Sequence, residues 1–108
     1  MKILALERPV GADSPGPPPL PVPDDAFTPA LLREEALRAW ALYQSGAVRE
    51  LHFRADREEA VLVLECADAA EARTILARLP LVREGLIDFE LVPLRPYPGF
   101  ARLFGGTG

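Results

Sequence analysis

The segment Ala60-Val61-Leu62-Val63-Leu64 is apolar at every position, so as a strand it sends hydrophobic side chains to both faces of the sheet it joins. Such a sheet needs cover on two sides. Hydrophobic periodicity predicts only two substantial helices in the chain, and two helices cover one face of a four-stranded sheet. The second face calls for another partner, most simply a second copy of the same chain.

The remaining elements follow from local pattern. Lys2–Arg8 alternates weakly and reads as a first strand, ended by Pro9 and Gly11. From Pro9 to Phe27 the chain is poor in core-forming residues. Its repeated prolines make this a polyproline-II-like or disordered loop without regular hydrogen bonding. Thr28-Pro29 is a helix start, a capping hydroxyl followed by a proline whose missing N–H costs nothing there. That helix runs to about Ser45 with Leu32, Ala36, Ala39, Trp40 and Tyr43 on one stripe, and Gly46 stops it.

Ala47–Arg54 alternates at period two, Ala55–Glu58 is a polar turn, and Glu59–Cys66 returns as the partner of a hairpin. Asp68 and Glu71 form an aspartate variant of the capping box. The second helix then buries Ala69, Ala72, Ile75, Leu76 and Leu79, and Pro80 ends it. After a loop at Leu81–Gly85, Leu86–Leu94 is the last strand, with Ile87, Phe89 and Leu91 toward the helices. Two such β-α-β units with right-handed crossovers give an α+β, ferredoxin-like βαββαβ fold with antiparallel strand order 4-1-3-2. Residues 1–108 make one domain, with the proline-rich loop at 9–27 and a C-terminal tail at 95–108 that carries Tyr97, Phe100, Leu103 and Phe104.

Composition narrows the function. A net charge of −4 and arginines interleaved with carboxylates leave no basic footprint for nucleic acid. No apolar run reaches bilayer length, and the Met1–Leu6 segment meets Glu7-Arg8 before a signal-peptide core forms, so the expectation is a soluble cytoplasmic protein without membrane partners. The lone Cys66 suits a buried core position. One histidine and one cysteine build no typical structural zinc site, so neither a metal nor another cofactor is expected. Gly105-Gly106 is no phosphate loop, and Pro18-Pro19-Leu20-Pro21 matches PxxP only loosely.

Strand parity assigns Glu50, His52, Arg54, Val61, Val63, Glu65, Asp88, Glu90 and Val92 to the open face, with Ile3, Ala5 and Glu7 from the first strand. Valines with scattered ionisable groups fit a small-molecule cavity between two packed sheets. His52 and Glu65 are the candidate catalytic residues: His52 alone titrates near neutrality unperturbed, and Glu65 interrupts an apolar strand. Arg54 is the candidate carboxylate holder, by bidentate hydrogen bonding, or else the ion-pair partner of Glu65.

Several pieces together resemble the muconolactone Δ-isomerase family: Leu42-Tyr43-Gln44-Ser45-Gly46, Arg54 before the hairpin, Leu79-Pro80-Leu81, Glu90, and Leu94-Arg95-Pro96-Tyr97-Pro98, over residues 34 to 98. The resemblance implies ferredoxin-like subunits paired through their sheets as a dimeric α+β barrel. It also implies a proton and double-bond shift in a small unsaturated lactone without metal or organic cofactor. Arg54 and Glu90 are the polar positions it matches, and Glu50 joins them as a candidate substrate contact. The chain departs from that family at Val48–Phe53, which is one residue longer and lacks its tryptophans, and at Glu58–Val61.

Three functions are open on these grounds. The first is cofactor-free isomerisation of a small lactone or organic acid bound in the inter-sheet cavity of a homodimer or larger homo-oligomer. The second is a non-catalytic ligand-binding or oligomerisation module. The third is a cofactor-free monooxygenase of the same barrel class.

Overall fold

Right-handed crossovers dictate which strands end up central, because each helix must return the chain to the same side of the sheet. In the computed structural model, β1 (Lys2–Arg8) leads through α1 (Pro29–Ser45) to β2 (Val48–Phe53), and β3 (Ala60–Glu65) leads through α2 (Ala69–Leu76) to β4 (Asp88–Leu94). The strand order is β2-β3-β1-β4 with every neighbouring pair antiparallel, the expected 4-1-3-2 arrangement. The structure describes residues 1–13, 15–17 and 20–105; Pro18 and Pro19 of the PxxP match and Gly106 of the terminal glycine pair lie outside them.

Register decides which face each side chain joins. Ile3 lies opposite Leu64, and Ala5 opposite both Leu62 and Leu91. Ile3, Ala5, Leu62, Leu64 and Phe89 form the helix-side core with Val48, Leu76 and Leu79. This corrects the parity expected for β1: Ile3, Ala5 and Glu7 face the helices, while Leu4 and Leu6 face away. Both alternate sets of β1 are apolar, so hydrophobic alternation alone did not fix the strand's orientation.

α1 starts and ends as its caps dictate. The Thr28 hydroxyl accepts the Leu31 N–H at 3.2 Å, and Gly46, at φ +84°, donates its N–H to the Tyr43 carbonyl. Its buried line, however, is Leu31, Glu35, Ala39 and Leu42, while Leu32, Trp40 and Tyr43 stay 46%, 57% and 48% exposed. The helix is rolled by about one residue, roughly 100°, from the stripe expected. α1 packs chiefly on β2 and on a short third helix, α3 (Pro80–Arg83), instead of lying across the middle of the sheet.

α3 is itself a departure from expectation. α2 finishes at Leu76, and Pro80 opens a new helical turn at its first position instead of ending the previous helix. The loop at 9–27 also holds more order than expected: Asp24–Ala26 forms a 3-10 turn, and Phe27 packs against the core. The Asp68 cap does form, accepting the Glu71 N–H at 2.8 Å.

The sheet face away from the helices carries Leu4, Leu6, Val61, Val63 and Val92, all half-buried, within a border of Lys2, Glu50, His52, Glu65 and Glu90. Beyond β4, a 3-10 turn at Gly99–Leu103 leaves Tyr97, Phe100, Leu103 and Phe104 between 65% and 85% exposed. Tyr97 and Phe100 pack edge to face at 5.1 Å, a small aromatic knob.

Candidate functional site

Because α1 leans on β2 and α3, a cleft of about 380 Å³ opens between the helix and the sheet. Its walls are apolar, with Leu32, Ala36 and Ala39 from α1 facing Leu51, Leu62 and Phe89 from the sheet. Two carboxyls interrupt that lining, Glu7 from β1 and Glu35 from α1. A polar pair inside an apolar concavity is the arrangement that binds and reacts with small molecules.

Each carboxyl is anchored by one backbone bond. The β1–β3 ladder stops at Leu6 and Val61, and just beyond it Glu7 Oε1 accepts the Ala60 N–H at 3.0 Å. Glu35 Oε1 accepts the Leu81 N–H at 3.0 Å, filling the role of a cap for α3, whose N-cap residue Leu79 supplies none. Neither second oxygen takes a donor from the described residues.

Burial pushes the Glu7 carboxyl above its ordinary range, and the like charges of Glu59, Glu35 and Glu58 add to the effect against the Ala60 bond. Glu35 is raised by burial as well, opposed by the Leu81 N–H and by Arg83, with Glu34 pushing the same way as burial. Burial is thus the first cause of the shift at both carboxyls of the cleft.

The residues singled out from sequence are distributed differently. His52 sits on edge strand β2 opposite Val61, exposed, with Nε2 3.2 Å from Glu50 Oε1, and lines the cleft at its rim. Glu65 lies at the far end of β3, its carboxylate 3.9 Å from the chain's amino terminus, so neither His52 nor Arg54 is its partner. Arg54 is fully engaged at the hairpin, with Nε and Nη2 on the two oxygens of Asp56 at 2.8 and 2.7 Å and Nη1 4.0 Å from Glu59. Glu90 is exposed on the open face opposite Leu6. Among these, the structure brings together only Glu50 and His52.

Sequence reading missed Glu7 and Glu35. Glu7 shares parity with Ile3 and Ala5, and Glu35 shares helical spacing with Leu31, Ala39 and Leu42. In both cases the signal was a carboxylate on a line that proves to be buried. Among the described residues no three His, Cys, Asp or Glu side chains converge as a metal ion requires.

No protein-family model matches the chain. No curated protein matches it either. Among solved structures, the crystal structure of muconolactone isomerase superposes with a TM-score of 0.64, covering 91% of this chain and 92% of that one at 22% sequence identity. The chain has a muconolactone isomerase-like, ferredoxin-like α+β fold.

The raised carboxyls have a consequence for stability. The folded state binds more protons than the unfolded state wherever a folded carboxyl titrates above its ordinary value of 4.5. Stability contributed by the neutral forms is therefore complete below that value and lost as pH rises through the raised one. Glu7→Gln and Glu35→Gln each keep an acceptor for the backbone N–H and remove the charge. Thermal melts across pH 4 to 7 are expected to show each variant gaining stability over the parent as pH rises. A parent–variant difference that is flat or reversed over that range contradicts the assignment.

Proposed function

We propose that this protein catalyses a proton-transfer isomerisation of a small unsaturated lactone or organic acid, using Glu7 and Glu35 in the cleft under α1. The observation that carries this reading is the pair of carboxyls, each held by one backbone N–H, on the otherwise apolar walls of one cleft. The shared fold with muconolactone isomerase supports it.

The chemistry needs an acidic C–H beside a carbonyl. One carboxylate removes that proton from the α-carbon, and the other, protonated, hydrogen-bonds the carbonyl oxygen as the dienolate forms. The proton returns at the γ-carbon, the double bond moves into conjugation, and no electrons enter or leave the pair of reactants. The two roles require one group charged and the other neutral at the same pH. His52, at the rim, contacts the bound molecule. The base assigned from sequence to His52 or Glu65 passes in this reading to the two carboxyls inside the cleft.

Deuterium incorporation from D2O into a panel of β,γ-unsaturated lactones and acids, followed by NMR, tests the reaction. The parent is expected to exchange and isomerise at least one member. Glu7→Gln and Glu35→Gln are expected to lose about 10²- to 10⁴-fold in kcat with unchanged circular dichroism. No exchange with any member, or parental turnover in both variants, overturns the reading.

The open face supports a second part of the proposal, self-association. Leu4, Leu6, Val61, Val63 and Val92 form a continuous aliphatic patch that α1 and α2 do not reach, bordered by Lys2 and Arg8 on one side of neutrality and Glu65 and Glu90 on the other. A twofold copy sets that patch against itself with both signs of charge at the margin. Sedimentation equilibrium is expected to show a dimer or larger assembly, reduced to monomer by Val63→Glu. A monomeric parent contradicts it.

A further inference from the structure

Beside the carboxyl-bearing cleft, and sharing Ala36, Ala39, Leu51 and His52 with it, lies a second and more open compartment of about 590 Å³. It is bounded by Trp40 and Tyr43 on α1, stacked with centroids 5.9 Å apart and planes 25° from parallel, and by Arg49 on β2. Among the described residues Arg49 is the one lysine or arginine that lines the cleft or this compartment.

Its position comes from a fault in the strand. Val48 lies opposite Leu64 and Glu50 opposite Val63, so β2 advances two residues while β3 advances one, and Arg49 is the extra residue of a β-bulge. Regular alternation after the buried Val48 sends the next side chain to the open face. The bulge instead lets Arg49 share a compartment with α1, where its guanidinium lies beside Gly46. Bulges re-aim side chains in this way beside functional sites. Arg49 makes no hydrogen bond or ion pair within the described chain, whereas Arg54 has both of its geometrically matched donors on Asp56. Glu50, the carboxylate nearest in sequence, is bonded to His52.

We infer that Arg49 is the anion-binding residue of this site, and that it takes the carboxylate of a flat unsaturated acid whose planar part lies against the Trp40–Tyr43 pair. An unpaired guanidinium offers a fork matched to a carboxylate, and the aromatic faces select a flat, conjugated body over a bulky saturated one. The wall shared at Leu51 and His52 lets such a molecule extend from Arg49 toward Glu7 and Glu35, where a second carbonyl, such as that of a lactone, is the one that reacts. The inference rests on the proposed isomerisation only for what happens at that far end; binding itself does not require it.

Trp40 is the only tryptophan, so its fluorescence reports on this compartment alone. Titration with sorbate is expected to quench it saturably, and methyl sorbate, flat but uncharged, is expected to bind about tenfold or more weakly. Arg49→Gln is expected to weaken sorbate about tenfold while leaving methyl sorbate unchanged, Arg49→Lys to fall between, and Arg54→Gln to match the parent. Equal binding of acid and ester, sorbate binding unaffected by Arg49→Gln, or no saturable quenching overturns the inference. Sorbate bound through Arg49 without turnover of any panel member defeats the isomerase reading alone. Turnover of acidic substrates with KM unchanged in Arg49→Gln defeats the Arg49 assignment alone.

Discussion

The hydrogen bond from the Leu81 N–H to the Glu35 carboxyl does more than join two helices. It supplies the cap that α3 lacks, ties α1 to the α3 side of the molecule, and leaves the helix standing off the middle of the sheet. The small side chains of Ala36 and Ala39 on the sheet-facing flank do not fill the resulting space. A cleft under α1 is the consequence, and the same carboxyl that helps to create it is one of its two polar features. Structure and chemistry meet in that single side chain.

Glu7 reaches the cleft by a different route. β1 is a central strand, and its helix-side residues Ile3 and Ala5 are fully buried. At Glu7 the ladder to β3 has ended, the cover of the helices has thinned, and the carboxyl turns to the Ala60 N–H. An ionised carboxylate in apolar surroundings costs stability, and here burial outweighs one backbone bond in each case. Sites that hold a reactive group out of water characteristically give up some stability for it.

The sequence disclosed most where local chemistry is self-sufficient. Thr28-Pro29, Gly46 and Asp68 act through their own backbone neighbourhood, and the helix ends they cap stand where expected. β4 was readable because Ile87, Phe89 and Leu91 alternate with the carboxylates Asp88 and Glu90. The strand order followed from handedness, and the likeness to muconolactone isomerase agrees with it. Legibility failed where two solutions satisfied the same pattern. β1 is apolar on both sides, and α1 has apolar residues at 31 and 32, 39 and 40, and 42 and 43, so its roll depends on contacts with β2 and α3 that no local rule supplies. With β1 and α1 in the orientation that their patterns first suggest, Glu7 and Glu35 do not fall on the buried lines that bring them into one cleft. Arg49 was hidden for a related reason: β2 carries a bulge between Val48 and Glu50, and the residue lodged in it was not identifiable until the register with β3 was known.

A crystal structure of the protein soaked with sorbate decides most directly between the two sides of the sheet. The account places the ligand under α1, with its carboxylate on Arg49 and its unsaturated chain running past Leu51 toward Glu7 and Glu35. Ligand density on the opposite face, among Val61, Val63 and Glu65 between two copies, contradicts it.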